Sequence, residues 1–214
     1  IRIERISLVI FMKIKSVRLI QFLPKNAIRM NEMDFKADEK YYHLESERLS
    51  YRALTIEDCS LWLPFFDDTP SLRFLGMGSS IFEGMNNAQK CEKWISRQLE
   101  RQKDGVYGQL AVIEKSTGKF IGLAGLIARF EENINKELEV TYSLLKEARG
   151  KGYATELAIF FRDYAFENTS LPSVISIIHQ DNFPSMNVAE KNGMQPENEF
   201  ELIGMPVRCY RIYR

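Results

Sequence analysis

Arg149-Gly150-Lys151-Gly152-Tyr153-Ala154 is the stretch on which the fold turns. It follows a segment, Glu137 to Leu145, whose side chains alternate like a strand, and it opens a run with helical apolar spacing. Gly150 and Gly152 let the backbone turn sharply and let a ligand approach without a Cβ in the way. A helix starting here leaves its first amide N–H groups unpaired, and its dipole favours negative charge at that end. Strand, glycine turn and helix start together make a phosphate cradle, to which Arg149 and Lys151 add positive charge. On these six residues alone a plain turn is as good a reading as a phosphate site. The run is neither a Walker loop nor a dinucleotide fingerprint, because the glycine spacing of each is missing.

Working outward, the helix after the turn carries Ala154, Leu157, Ala158, Phe161 and Ala165 on one face, which suits packing on a sheet. Ser173–His179 has Ile and Val on both faces, as a strand covered on both sides does. Asn182-Phe183-Pro184-Ser185 turns into a short helix closed by Gly193, and Phe200–Leu202 and Val207–Tyr213 form a last antiparallel pair around Gly204-Met205-Pro206. Upstream, Arg48 to Leu54 alternates with Leu49, Tyr51 and Ala53 on one face. Thr55 caps a helix carrying Leu61 and Trp62, which Pro64 ends or kinks. Residues 67–87 read as a long irregular connection, either a binding loop or a plain surface loop. Ala88 to Gln102 is a helix with Cys91, Trp94, Ile95 and Leu99 on one side, Trp94 being read as core. Gln109–Glu114 and Lys119–Ile127 make a hairpin across Ser116-Thr117-Gly118, and 131–136 is a polar turn before the next strand.

With 214 residues, 45% hydrophobic and 27% charged, the chain has the make-up of one globular domain with an appendage. No apolar run reaches the roughly 18 residues of a membrane span, so no membrane association is expected. Cys59, Cys91 and Cys209 are odd in number and widely spaced, which suits a reduced cytoplasmic setting, and with only His43 and His179 beside them no metal site is expected. The formal net charge is zero, but residues 1–30 hold seven basic side chains and one acid. Residues 31–214 therefore hold 22 basic and 28 acidic residues, a mildly acidic domain with no footprint for nucleic acid. The basic segment, 1–40 in the expected division, is either an extension of the 41–214 domain or sequence upstream of a start at Met30 or Met33. No function is assigned to it.

Set together, these motifs resemble the GNAT acetyltransferases, which move an acetyl group from acetyl-CoA to an amine. Arg149, Gly152 and Ala154 fill that family's Gln/Arg-x-x-Gly-x-Gly/Ala phosphate motif. The branch that includes the ribosomal-protein N-terminal acetyltransferases is similar in more detail. Ser46-Glu47-Arg48-Leu49, then Arg52 and Glu57-Asp58, match its opening, and Ile121-Gly122-Leu123-Ala124-Gly125 matches its hairpin. Glu139-Val140-Thr141-Tyr142 matches its Glu-Ile-Gly-Tyr strand, with Thr141 in place of Gly, a departure expected to alter the local bulge. Gly152 to Glu156 matches Gly-Tyr-Ala-Thr-Glu, and Asn182, Ser185, Glu190, Lys191 and Gly193 match the last motif, with Met194 in place of Phe.

The resemblance implies an α+β fold, a mixed, mostly antiparallel sheet flanked by helices, over about Ser46 to Arg214. It implies acetyl-CoA as cosubstrate, its pantetheine arm on the backbone of Ser143, Leu144 and Leu145 and on Asn182. The pyrophosphate is then expected on the amides of Gly150, Lys151, Gly152, Tyr153 and Ala154, near Arg149. It implies direct attack by a primary amine, on a protein N-terminus or a small molecule, in a monomer or homodimer. Glu139 is the candidate base and Ser185 the candidate acid, although a surface carboxylate and a helix cap are equally good readings of the two. Tyr142 reads as an acceptor-site or core residue, and His179 as a core residue. A non-catalytic acyl-CoA-binding domain is the alternative reading.

Overall fold

The computed structural model of the chain describes residues 32–76, 80–130, 134 and 136–214. The basic segment 1–30, three residues of the 67–87 connection and most of the 131–136 turn lie outside the described residues.

Eight strands form one sheet: β1 (His43–Glu45), β2 (Leu49–Arg52), β3 (Gln109–Glu114), β4 (Lys119–Arg129), β5 (Glu137–Leu144), β6 (Ser173–His179), β7 (Gln195–Leu202) and β8 (Met205–Tyr213). Their order is β1-β2-β3-β4-β5-β6-β8-β7, and only β5 and β6 run parallel. The expected α+β sheet is thus observed, with β8 threaded between β6 and β7. The last turn is Ile203-Gly204, both at positive φ, so Met205 and Pro206 belong to β8 and not to the turn.

Helices cover both faces. α4 (Tyr153–Asn168) lays Leu157, Ala158, Phe161 and Ala165 on one face, against Leu110, Val112, Leu126 and Val140. α1 (Asp58–Trp62), α2 (Thr69–Leu72) and α3 (Asn87–Lys103) lie on the other, where Trp62, Phe65, Cys91 and Ile95 meet Ala111 and Leu123. Alternate residues of β3 and β4 feed the two cores, as the pleat requires. α5 (Phe183–Lys191) packs beside α4.

Details differ from the sequence reading. Thr55 does not cap α1: Glu57 holds that position, without a side-chain bond. Leu61 is exposed while Trp62 is fully buried, because a helix of one turn and a half shows only one side to the core. The packed chain also reaches back into the span expected as an extension. Phe35 is buried, and the buried Asp34 carboxylate accepts from the Ser170 N–H and hydroxyl, each at 2.7 Å.

Candidate functional site

The sheet opens where its two parallel strands part. β5 and β6 share one register pair, Glu139 with Ile175. One residue further on, side chains make the bonds that a ladder would otherwise make. Ser176 Oγ donates to the Val140 carbonyl at 2.9 Å, and the Ile177 N–H donates to Glu139 Oε1 at 3.2 Å. Beyond that fork lies a cavity of about 630 Å³, lined by β5, β6, the glycine turn, α5, and residues of α3 and of the connection after α1.

Glu139 sits at the fork and is buried, so it is not a surface carboxylate. Its Oε2 accepts from Arg129 Nε at 2.5 Å, and its other oxygen holds Ile177. Each oxygen keeps a second lone pair for a ligand or water. Arg129 was not anticipated as a site residue, because nothing in the local pattern of β4 marks it as the partner of Glu139.

Along β5 the ladder with β4 fixes which backbone groups face the gap. Ser143 pairs with Leu123, and the Leu145 N–H donates to the Ile121 carbonyl at 2.9 Å. Alternation therefore turns Tyr142 and Leu144 toward β6. Of the stretch Ser143, Leu144 and Leu145, only Leu144 turns its backbone to the gap, and its carbonyl already accepts from Arg149 Nε at 2.9 Å. Tyr142 takes the remaining place. Thr141 causes no bulge: the β4–β5 register runs unbroken from Gly122/Leu144 to Arg129/Glu137.

The far end of the cavity is the glycine turn. Gly150 and Gly152 have φ of 75° and 81°, in the region that disfavours side chains. α4 has no side-chain cap at Gly152, and its first intrahelical bond runs from the Glu156 N–H to the Gly152 carbonyl. The N–H groups of Tyr153, Ala154 and Thr155 thus meet no intrahelical carbonyl and lie at the positive end of the helix dipole. The Tyr153 phenol donates to the Glu114 carboxylate, so the residue faces the turn with its backbone. Arg149 is not a free charge. Its Nη1 donates to Asp68 Oδ2 at 2.6 Å and to Ser71 Oγ at 2.9 Å, tying α2 to the turn. Lys151 is exposed beside it.

α5 closes the third side. Asn182 caps it, Oδ1 accepting from the Ser185 N–H at 3.3 Å, which leaves the Asn182 amide NH₂ as a donor. Ser185 is therefore the capped residue rather than the cap, and among the described residues its hydroxyl has no hydrogen-bond partner. The Tyr142 hydroxyl donates to the Ser185 carbonyl at 3.2 Å. Burial pushes the Tyr142 phenol well above its ordinary range, further than the Ser185 bond lowers it, so it stays neutral. His179 lines the cavity and meets the Phe74 ring at a tilt, 5.4 Å between ring centres.

A split pair of parallel strands, a glycine turn and an uncapped helix start thus meet around one cavity. The model of the acetyltransferase (GNAT) domain matches residues 48–195, more than half of the chain. The chain belongs to the GNAT acetyltransferase family. Acetyl transfer is this family's chemistry, and the chain is accordingly an enzyme, an N-acetyltransferase.

Relatives agree. The uncharacterized protein YkkB of Bacillus subtilis is 24% identical over 168 residues, 78% of this chain and 93% of its own. An acetyltransferase of Agrobacterium tumefaciens superposes with a TM-score of 0.65 at 26% identity, covering 80% of this chain and 94% of that one. RimL, the ribosomal L7/L12 α-N-protein acetyltransferase in complex with coenzyme A, shares the fold with a TM-score of 0.62 at 16% identity, over 78% and 95%. Among the described residues no helix is long and apolar enough to cross a membrane.

Proposed function

We propose that this GNAT enzyme binds acetyl-CoA in the gap between β5 and β6 and transfers its acetyl group directly to a primary amine, on a protein N-terminus or a small molecule. The observation that carries this reading is the fork at Glu139 and Ile175, with the uncapped start of α4 at the other end of the same cavity. A cavity of about 630 Å³ with a strand gap at one end and open amides at the other suits a ligand with a pantetheine-like arm and a pyrophosphate. The N–H groups at Gly150 to Ala154 hold the phosphates, and the backbone of Tyr142 and Leu144 together with the Asn182 NH₂ holds the arm.

Attack on a thioester needs a neutral amine, fixed geometry and a proton for the departing sulfur. Glu139 accepts a proton from the incoming ammonium, directly or through water, while Arg129 and Ile177 hold its carboxylate in place. The Ser185 hydroxyl, half-buried on the cavity wall, donates toward the sulfur. Tyr142 fixes Ser185 by bonding its carbonyl. A cytoplasmic setting belongs to this proposal, since all three cysteines are unbridged thiols suited to a reducing compartment.

The test is release of free thiol from acetyl-CoA over a panel of peptides and small amines. Turnover is expected with at least one acceptor, and Glu139→Gln and Ser185→Ala are each expected to slow it by about 100-fold. Tight acetyl-CoA binding with no turnover on any acceptor would remove the catalytic reading.

A further inference from the structure

One wall of the cavity carries a directed chain of hydrogen bonds that the transfer chemistry leaves unused. Trp94 Nε1 donates to Gln109 Oε1 at 3.0 Å, and Gln109 Nε2 donates to Thr141 Oγ1 at 3.2 Å. An indole N–H only donates, so it fixes which end of the buried Gln109 amide is oxygen, and Thr141 must then accept from the amide nitrogen. The Gln109 backbone is itself held, its N–H donating to Gln98 Oε1 at 3.0 Å. Thr141 Oγ1 is thereby left with its own hydrogen to place. Its protein acceptor is the Gly125 carbonyl at 3.5 Å, the outer limit of a useful bond. Trp94, Gln109 and Thr141 all line the cavity.

Thr141 and Glu139 stand two residues apart on one face of β5, facing the same space. Their Cα atoms are separated by about 7 Å, which leaves room for an ammonium and a carbonyl oxygen side by side. We propose that Thr141 is a specificity residue: its hydroxyl donates to a carbonyl oxygen of the acceptor while Glu139 takes the adjacent amine. The preferred acceptors are then α-amino carbonyl compounds, whose oxygen lies on the carbon next to the amine-bearing one, and not plain alkyl amines. This rests on the transferase reading above.

The test compares L-alaninamide with n-propylamine as acceptors for acetyl-CoA, with rates expressed per unprotonated amine. Wild type is expected to favour L-alaninamide at least tenfold in kcat/KM, mainly through KM. Thr141→Val, which keeps the shape and removes the donor, is expected to erase about tenfold of that preference. Thr141→Ser, which keeps the hydroxyl, is expected to restore it. A wild type indifferent to the carbonyl would overturn the proposal, even if no Thr141 variant folds. So would a Thr141→Val protein that loses the same factor on both amines, because the hydroxyl would then serve the thioester or the fold. Absence of thiol release with every amine would instead remove the transferase reading, and this inference with it.

Discussion

Arg48 Nε donates to Glu156 Oε2 at 2.6 Å, while the Arg48 backbone N–H and the Ser46 hydroxyl both donate to Oε1, at 2.8 and 2.7 Å. Arg48 also reaches the Lys151 carbonyl at 3.0 Å and lies over the Tyr153 ring. The sequence motif that opens the domain thus grips the first turn of α4 and the glycine turn before it. That gives Ser46-Glu47-Arg48-Leu49 a physical purpose: it holds the helix start in place from outside, leaving its amides open.

Burial pushes the Glu156 carboxyl up, but the Arg48 N–H, the Ser46 hydroxyl and the Arg48 guanidinium outweigh it and hold the group below the usual carboxylate range. A folded-state value below the unfolded one means stabilisation that is complete above about pH 5 and fades as pH falls through the folded value. Glu156→Gln is expected to lose about 1 kcal/mol at pH 7, because Arg48 is open to solvent screening. The difference from wild type in urea midpoint should narrow from pH 7 to pH 3. A gap independent of pH would contradict the role of the charge.

The Tyr41 hydroxyl donates to the Gly108 carbonyl at 2.6 Å and accepts from the Leu126 N–H at 2.8 Å, in full burial. It lies where β3 and β4 diverge beside Gly125, at which a Cβ would come within 2.5 Å of the hydroxyl oxygen. Tyr41→Phe leaves two buried backbone groups unpaired and is expected to cost about 2 kcal/mol in urea unfolding. A loss within a few tenths of a kcal/mol would mean that the two groups find other partners.

At the fork, the two members of the Arg129–Glu139 pair are not equivalent. Arg129→Met leaves a buried carboxylate without its cation and is expected to cost about 3 kcal/mol. Glu139→Gln keeps an oxygen for only one of its two donors, Arg129 or Ile177, but the member it leaves is the less buried of the pair, so its loss of stability should be smaller while its loss of turnover is larger. The reverse order in thermal and kinetic measurements would argue that Glu139 serves the fold alone.

Much of this was legible in the sequence, for reasons that can be traced. The alternation of Glu137 to Leu145, the two glycines and the apolar stripe of α4 are local signals, and local periods survive folding. Gly118 at a φ of 66° and Gly193 at 82° stand where the hairpin and the helix end called for them. The three-residue β1 was not read, because a segment that short carries no period. The site's partnerships were also out of reach. Arg149 and Asp68 are 81 residues apart, so Arg149 looked like a free charge beside the turn. Trp94 does pack against the core, as read, but its bond to Gln109 could not be seen, because the indole N–H meets Gln109 only once α3 lies on β3. Which of Ser143, Leu144 and Leu145 turns its backbone to β6 was out of reach too, since alternation against β4 decides it and that register cannot be read from one strand.

The most direct measurement is calorimetric titration of acetyl-CoA into wild type and Gly152→Val, with thermal unfolding of both to show that the variant is folded. Gly152 sits at a φ of 81°, which a branched side chain opposes, and a Cβ there would also meet the Arg48 guanidinium at 3.4 Å, so the backbone that presents the amides at the start of α4 is strained. Wild type is expected to bind acetyl-CoA and Gly152→Val to lose at least tenfold in affinity. Undiminished affinity in a folded Gly152→Val protein would contradict the placement of the phosphates on the turn from Arg149 to Ala154.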